Sequence, residues 1–158
     1  CSQEYVTGRL IVMRHAESSS DHQGLLDHDR PLNTQGQRDA CLIGDTLAER
    51  EWLPQLVLVS SSTRTLETLE GMAQHMKDVR TEVRPEIYHA GISTLLTQLE
   101  GMLGEGTTMI LGHNPGSEVL INHLTGEWHT MPPAAAALLA ESGGNWLIED
   151  IILPKELD

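Results

Sequence analysis

Two arginines and two histidines stand at places in the sequence from which their side chains could act together. Arg14 and His15 directly follow the apolar run LIVM, Arg64 comes shortly after the apolar run LVLV, and His113 follows the run MIL and a glycine. A guanidinium presents a planar fork of donors that matches phosphate oxygens, and it stays charged when partly buried. A neutral imidazole beside two such groups can attack phosphorus in line, and water can then hydrolyse the phosphohistidine that results.

This chemistry predicts a role for each residue. His15 is the predicted nucleophile, Arg14 and Arg64 clamp the phosphoryl group, His113 is a second donor to it, and Asn114 is a further phosphate ligand. We expect the arginines to lower the pKa of His15, because a positive imidazolium is disfavoured beside like charges. The scheme needs neither a metal ion nor a cofactor, since the guanidinium groups supply the positive charge.

Alternating strands and helices predict how these residues are brought together. Apolar runs indicate strands at 9–13, 56–59, 82–84, 108–111, 134–140 and 146–153, the last two joined by a turn at Gly143–Gly144. Helical spacing and capping residues indicate four helices, starting at Thr34 with Gln37 as a capping-box partner, at about 66–76, at a cap on Ser93, and at 119–124.

This order predicts an α/β fold, namely a three-layer α/β/α sandwich with a mainly parallel central sheet. Ligands on such sheets bind beyond the carboxyl ends of the strands. The two arginines and two histidines all follow strand ends, so we expect them to converge on one edge of the sheet. His89, in the loop after the weak third run, and His129, in a later loop, could border the same site.

The length and composition of the chain limit the classes of protein to which it can belong. The 158 residues suit one domain, which we assign to 1–158. The net charge of -13 argues against nucleic acid and anionic membranes as partners, and no apolar run approaches the roughly 18 residues of a membrane span. Two cysteines are too few for a disulfide framework, which favours a cytoplasmic location. We expect Cys1 to be a sequence boundary rather than the lipid-bearing cysteine of a processed lipoprotein.

Four motifs carry a resemblance to a known family. The segments RHAE, RPLNTQG, VSSSTRTLETL and GHNPG occur in the order typical of the histidine phosphatase superfamily, which is phosphoglycerate mutase-like. The short chain looks most similar to the SixA-type branch of phosphohistidine phosphatases. The resemblance implies that His15 becomes phosphorylated and that the substrate is a phosphorylated protein, such as a histidine phosphotransfer domain in signalling. A small phosphomonoester is the alternative substrate.

Larger members of this superfamily also carry an acidic residue that protonates the leaving group. Glu86, in the segment RPEIYHAG, is the nearest counterpart by position, and Glu17 is a rival. A phosphohistidine substrate has a nitrogen leaving group that is readily protonated. The resemblance therefore also allows an enzyme that works with little help from an acid.

Three other functions remain open from the sequence. The same residues could serve a small-molecule phosphomonoesterase or a phosphoglycerate mutase-like enzyme. The chain could also be a catalytically silent module that binds phosphorylated partners. Finally, the segment DHQGLLDHD contains possible metal ligands, although a solvated acidic loop is the simpler interpretation; these residues are Asp21, His22, Asp27, His28 and Asp29.

Overall fold

A six-stranded sheet lies at the centre of the computed structural model, which describes residues 8–19, 24–100, 102 and 106–157. The strands are β1 Gly8–Arg14, β2 Leu56–Val59, β3 Arg80–Val83, β4 Thr107–Gly112, β5 Ala136–Ser142 and β6 Asn145–Ile152. Their spatial order is β3-β2-β4-β1-β5-β6. The first four strands in this order pair in parallel, and β5 runs antiparallel to both β1 and β6. The predicted α/β fold with a mainly parallel sheet is confirmed.

Helices cover both faces of the sheet. They are α1 Thr34–Glu49, α2 Thr63–Gly71, α3 Ile92–Leu99 and α4 Gly116–Thr125. Alternate residues of a strand point to opposite faces, and β1 contributes Ile11 and Met13 to the apolar cluster that contains α1, but Leu10 and Val12 to the cluster that contains α3 and α4. The two clusters are the two interfaces of the predicted three-layer sandwich.

The predicted boundaries differ from the observed ones mainly at helix starts. Asn33 caps α1, because its side-chain oxygen accepts a hydrogen bond from the Gly36 N–H at 2.8 Å, so Thr34 is the first helical residue rather than the cap. Gly91 rather than Ser93 precedes α3. The spacing of apolar residues predicts where a helix lies, but it does not show which of several neighbouring polar residues caps the helix.

The predicted second helix is two elements in the structure. It begins at Thr63, where Ser62 accepts from the Thr65 N–H at 3.3 Å, and ends at Gly71, after which Ala73–His75 forms a 3-10 turn. A Cβ atom at Gly71 would lie 2.7 Å from the Cβ of Ala40 on α1. The glycine therefore lets the end of α2 approach α1 closely.

The parallel strands β2, β4 and β1 end at the same edge of the sheet. Arg14 at the end of β1 is in register with Gly112 at the end of β4, and Val59 at the end of β2 is in register with Leu111. The residues that follow these strands are therefore neighbours in space, as predicted. No helix in the described part of the chain is long and apolar enough to cross a membrane.

Candidate active site

The four predicted residues meet at this edge of the sheet. Arg14, His15, Arg64 and His113 all line a single cavity of about 370 Å³. Its other polar lining residues include Ser18, Arg30, His89, Asn114 and Ser117, and its apolar wall is formed by residues such as Ile87, Leu95, Ile110 and Leu120. The cavity thus combines a cationic part, supplied by arginines, with a wall of aliphatic side chains.

The imidazole of His15 has a defined tautomer. The ring is buried, and its Nδ1 lies 2.7 Å from the carbonyl oxygen of Ala16. A carbonyl can only accept, so Nδ1 carries the hydrogen and donates it. Nε2 is then the unprotonated nitrogen, and it accepts a hydrogen bond from Nε of Arg64 at 3.3 Å. The lone pair required for nucleophilic attack is therefore on the nitrogen that faces Arg64.

Burial keeps this imidazole neutral. Loss of solvent lowers the pKa of His15 to about 4, and the charges of Arg64, Arg14 and Arg30 act in the same direction, whereas the hydrogen bond to Ala16 opposes them. The predicted lowering of the pKa is borne out in direction, but burial is the largest of the causes that lower it, and the arginines follow.

Arg64 is buried and makes contacts along its whole guanidinium. Nη1 donates to the backbone carbonyl of Asp27 at 2.7 Å, Nη2 donates to the carboxylate of Asp27 at 3.0 Å, and Nε points to His15. Asp27 thus holds the two terminal nitrogens and leaves the Nε–H directed at the predicted nucleophile.

The Asp27 carboxylate is itself surrounded by donors. The hydroxyl of Tyr88 donates to it at 2.5 Å and Nε of Arg30 at 3.1 Å. The Tyr88 hydrogen bond, followed by those of Arg64 and Arg30, lowers the pKa of Asp27, so the carboxylate is ionised. Asp27 is therefore an ion-pair partner of the arginines in this structure rather than an available metal ligand.

His113 lies next to His15, with 5.3 Å between the ring centroids. Its Nε2 is 2.9 Å from the hydroxyl of Ser60, while its buried Nδ1 has no partner in the described part of the chain. Burial, followed by the neighbouring His15 and Arg64, lowers the pKa of His113 to about 3. If Ser60 donates to Nε2, Nδ1 carries a hydrogen, and His113 is a neutral donor.

Two nitrogens of the Arg14 guanidinium differ in whether they have a hydrogen-bond partner. Nη1 donates to the carbonyl of Met131 at 3.1 Å, and Nε is buried without a partner among the described residues. Buried N–H groups are almost always hydrogen-bonded in folded proteins. In the part of the chain that the structure describes, three cavity-lining residues carry unpartnered buried atoms: the nitrogens of Arg14 and His113 suit a ligand rich in acceptors, whereas Oδ1 of Asn114 is itself an acceptor.

Asn114 lines the cavity, but its amide donors are occupied. The side-chain nitrogen donates to the carboxylate of Glu118 at 3.1 Å and to the carbonyl of Met131 at 2.9 Å, and Glu118 also accepts from the Met131 N–H at 2.7 Å. The predicted phosphate contact through this side chain is therefore not present. The Glu118 carboxylate, one helical turn further along the chain, takes one donor, and the Met131 carbonyl takes the other.

The two predicted acids do not reach the cavity. Glu86 is exposed on the 3-10 turn Pro85–Ile87, and Glu17 is exposed with its carboxylate accepting from Asn33 at 2.9 Å. Neither residue lines the cavity. Proximity along the chain to cavity residues misled the prediction here, because adjacent residues on a turn point in different directions.

Arg30 is a cavity residue to which no role was assigned from the sequence. Besides contacting Asp27, it donates to the hydroxyl of Ser18 at 3.1 Å and to the carbonyl of Ser19 at 2.9 Å. The signal that could have identified it is its place in the segment RPLNTQG. Of the two loop histidines predicted to border the site, His89 lines the cavity and His129 does not.

The predicted alternative of a metal site is only partly covered by the structure. Among the described residues, no group of three or more histidine, cysteine, aspartate or glutamate side chains could hold a metal ion. His28 contacts the hydroxyl of Ser61 at 2.9 Å. Asp21 and His22 lie outside the described residues, as does Cys1.

Comparison with known proteins gives consistent results. The family model of the histidine phosphatase superfamily (branch 1) matches residues 10–90. An uncharacterised chloroplastic protein of Arabidopsis thaliana is 35% identical over 152 residues, covering 89% of this chain and 70% of that protein. The phosphohistidine phosphatase SixA of Escherichia coli is 28% identical over 149 residues, covering 87% of this chain and 91% of that protein.

A solved structure extends the similarity to the whole fold. The crystal structure of the candidate phosphohistidine phosphatase SixA from Agrobacterium tumefaciens superposes with a TM-score of 0.85 at 26% identity. The alignment covers 94% of this chain and 99% of the other. The phosphoglycerate mutase-like architecture expected from the sequence is thereby confirmed.

Proposed function

The chain belongs to the histidine phosphatase superfamily, and on that premise we propose that it hydrolyses phosphoryl groups through a phosphohistidine intermediate on His15. The observation that carries the proposal is the pair of buried, unpartnered nitrogens, Nε of Arg14 and Nδ1 of His113, on residues that line the same cavity as His15. Both nitrogens can serve as donors, and a tetrahedral anion provides the oxygens that such donors require.

In the first step, the lone pair on Nε2 of His15 forms a bond to phosphorus while the bond from phosphorus to the leaving group breaks. The Nε–H groups of Arg64 and Arg14 and the Nδ1–H of His113 donate to the phosphoryl oxygens as charge redistributes among them. In the second step, the oxygen of water bonds to phosphorus, the bond from phosphorus to Nε2 breaks and returns its electron pair to Nε2, and the water releases a proton. Asp27 keeps Arg64 oriented in both steps through its two contacts of 2.7 and 3.0 Å. The scheme uses no metal ion.

We infer that the substrate is a phosphohistidine side chain on another protein. The similarity to the phosphohistidine phosphatase SixA of Escherichia coli supports this choice. Between Arg64 and His113, the described residues form the rest of α2, strands β3 and β4, helix α3 and two 3-10 turns, and they include no further helix that could serve as an inserted lid. An uncovered mouth suits a side chain presented by a protein, such as a histidine phosphotransfer domain in a signalling pathway.

A small phosphomonoester is the second candidate substrate, and the apolar wall of the cavity favours it. Leu95, Ile110 and Leu120 lie in the lining, and the cavity of about 370 Å³ is larger than a phosphate group of about five heavy atoms needs. A compact apolar group attached to the phosphate could be accommodated there. The cytoplasmic location expected from the sequence stays a prediction, and one relative is chloroplastic.

The decisive experiment compares substrates and traps the intermediate. Wild type, His15→Ala and the control variant His123→Ala, which alters an exposed histidine on α4, are incubated with a protein phosphorylated on histidine, with phosphoserine and with p-nitrophenyl phosphate, each with and without EDTA. We expect the wild type and the control to release phosphate fastest from phosphohistidine, to be insensitive to EDTA, and to carry acid-labile phosphate on residue 15. The His15→Ala variant should be inactive.

Other results would contradict particular parts of the proposal. Activity that survives in His15→Ala excludes the phosphohistidine mechanism. Loss of activity with EDTA excludes the metal-free scheme. A preference for the small ester over phosphohistidine favours the second substrate, and binding of phosphorylated protein without any turnover identifies a silent binding module.

A further inference from the structure

The site contains an imidazole to which the mechanism above gives no role. His89 lines the cavity, and its ring centroid lies 6.3 Å from that of His113. His15, His113 and His89 thus form a row of three rings that leads from the buried nucleophile to the mouth, where the His89 side chain is 66% exposed. A group at the mouth is on the side from which substrate enters and the leaving group departs.

Relying on the proposed function, we propose that His89 donates the proton to the leaving-group oxygen when the substrate is a phosphate ester. The protonatable side chains in the described lining of the cavity, apart from the arginines, are those of three histidines. His15 is the nucleophile, and Nε2 of His113 is engaged with Ser60. His89 is the remaining one, because the predicted acids Glu86 and Glu17 are both outside the lining.

Neighbouring side chains hold the ring of His89 in place, but none of them forms a strong hydrogen bond with its Nε2. The ring packs edge-on against Tyr88, with 4.0 Å between centroids, and the Tyr88 hydroxyl is bonded to Asp27. Nε2 of His89 lies 3.5 Å from the Asp27 carboxylate, which is longer than a strong charge-assisted hydrogen bond. A leaving-group oxygen can therefore replace the carboxylate as the partner of this nitrogen.

The backbone at His89 is unusual in a way that fits a positioned side chain. Its φ angle of 57° lies in the left-handed region, which few residues other than glycine adopt. Such conformations cost about 1 kcal/mol or more and concentrate at functional sites. The two residues before it also contact the site: Ile87 lines the cavity and the Tyr88 ring packs against that of His113.

Every proton and electron pair that moves in the two steps has a donor and an acceptor. As Nε2 of His15 bonds to phosphorus, the bond between phosphorus and the ester oxygen breaks, that oxygen keeps the electron pair, and the proton of His89 is transferred to it, giving an alcohol. In the second step the now neutral His89 takes a proton from the attacking water as the oxygen bonds to phosphorus and the bond to His15 breaks. Both imidazoles return to their starting states.

A series of leaving groups tests this role. For kcat/KM, which reports the step in which the leaving group departs, wild type and His89→Asn are compared on p-nitrophenyl phosphate, phenyl phosphate and an alkyl phosphate. Asparagine is chosen because it tolerates the left-handed conformation. We expect His89→Asn to lose about 100-fold or more on the alkyl phosphate, and only a few-fold on p-nitrophenyl phosphate, since nitrophenolate leaves without a proton.

Two further variants distinguish proton transfer from a merely structural effect. Glu86→Gln, at an exposed position three residues before His89 on the 3-10 turn Pro85–Ile87, should behave as wild type on all three esters. In His89→Gly, added imidazole should restore the alkyl phosphate reaction. An equal loss on all esters in His89→Asn, or a loss that depends on the leaving group in Glu86→Gln, would overturn the assignment.

The phosphoenzyme assay separates this inference from the function on which it depends. If the wild type forms no acid-labile phosphate on His15, the proposed function itself is wrong. If His15 is phosphorylated and His89→Asn still turns over the alkyl phosphate at the wild-type rate, only the role of His89 is wrong.

Discussion

At the scale of single residues, the two nitrogens of His15 have opposite tasks. Nδ1 is committed to the carbonyl of Ala16 at 2.7 Å, and this bond both orients the ring and puts the lone pair on Nε2. Arg64 then donates to that lone pair at 3.3 Å. The residue types required for phosphoryl transfer could be recognised from the sequence, but the contact with Ala16 that determines the tautomer could not, because it depends on the local backbone conformation.

The protonation of His15 gives a prediction at this scale. Burial lowers its pKa to about 4, so the neutral form should persist at pH 5.5, where a histidine with the ordinary value of 6.5 is mostly protonated. We expect ¹H–¹⁵N correlation spectra of histidine-labelled protein to show a neutral Nδ1–H ring at pH 5.5. The signal is assigned by its absence in His15→Gln. A ring that titrates near pH 6.5, or the Nε2–H tautomer, would contradict this interpretation.

At the scale of elements, the start of α1 is docked against the segment that follows His15. The carbonyl of Glu17 accepts from the Asn33 N–H at 3.1 Å, and a Cβ atom on Gly36 would lie only 2.1 Å from that carbonyl oxygen. The glycine in RPLNTQG is thus required by a close approach between two backbones. The strands and helices could be predicted from apolar periodicity, but this contact could not, because it joins elements through a loop without any periodic pattern.

Replacing this glycine tests the contact. Gly36→Ala should destabilise the protein by about 1–3 kcal/mol, as overpacking does, even though alanine is favoured over glycine in a helix by about 1 kcal/mol. The steric term wins because the obstructing atom belongs to the backbone. Urea unfolding measures the change, and kcat/KM should fall as the segment after His15 is displaced. Gln35→Ala, on the exposed side of the same turn, should stay within about 0.5 kcal/mol; a stable Gly36→Ala protein would contradict the packing described.

At the scale of the whole molecule, an anion-binding cavity is set in a protein of net charge -13. Arg14, Arg30 and Arg64 line the cavity, while the surrounding field repels anions at long range. Salt screens such repulsion over about 10 Å at 0.1 M ionic strength. The global charge therefore opposes the encounter with substrate that the local charges favour.

The ionic-strength dependence of kcat/KM shows which field governs the encounter. For a small phosphomonoester we expect kcat/KM to rise, or at least to hold, between very low and moderate ionic strength, because screening removes long-range repulsion first. Two different salts at equal ionic strength should give the same curve, which controls for binding of a particular anion in the cavity. A steep and continuous fall would mean that a positive surface dominates the encounter.

The sequence by itself determined the sheet, its parallel edge and the four residues gathered there, since apolar runs locate strands and parallel strands end on the same side. Only the tertiary structure decided which groups those residues contact. Asp27 binds Arg64 across 37 positions and Tyr88 across 61, while the amide of Asn114 is committed to Glu118 and Met131 and Glu86 is turned to solvent. Such contacts depend on loop conformations and side-chain directions, and these arise from packing between distant segments rather than from any local pattern of residues.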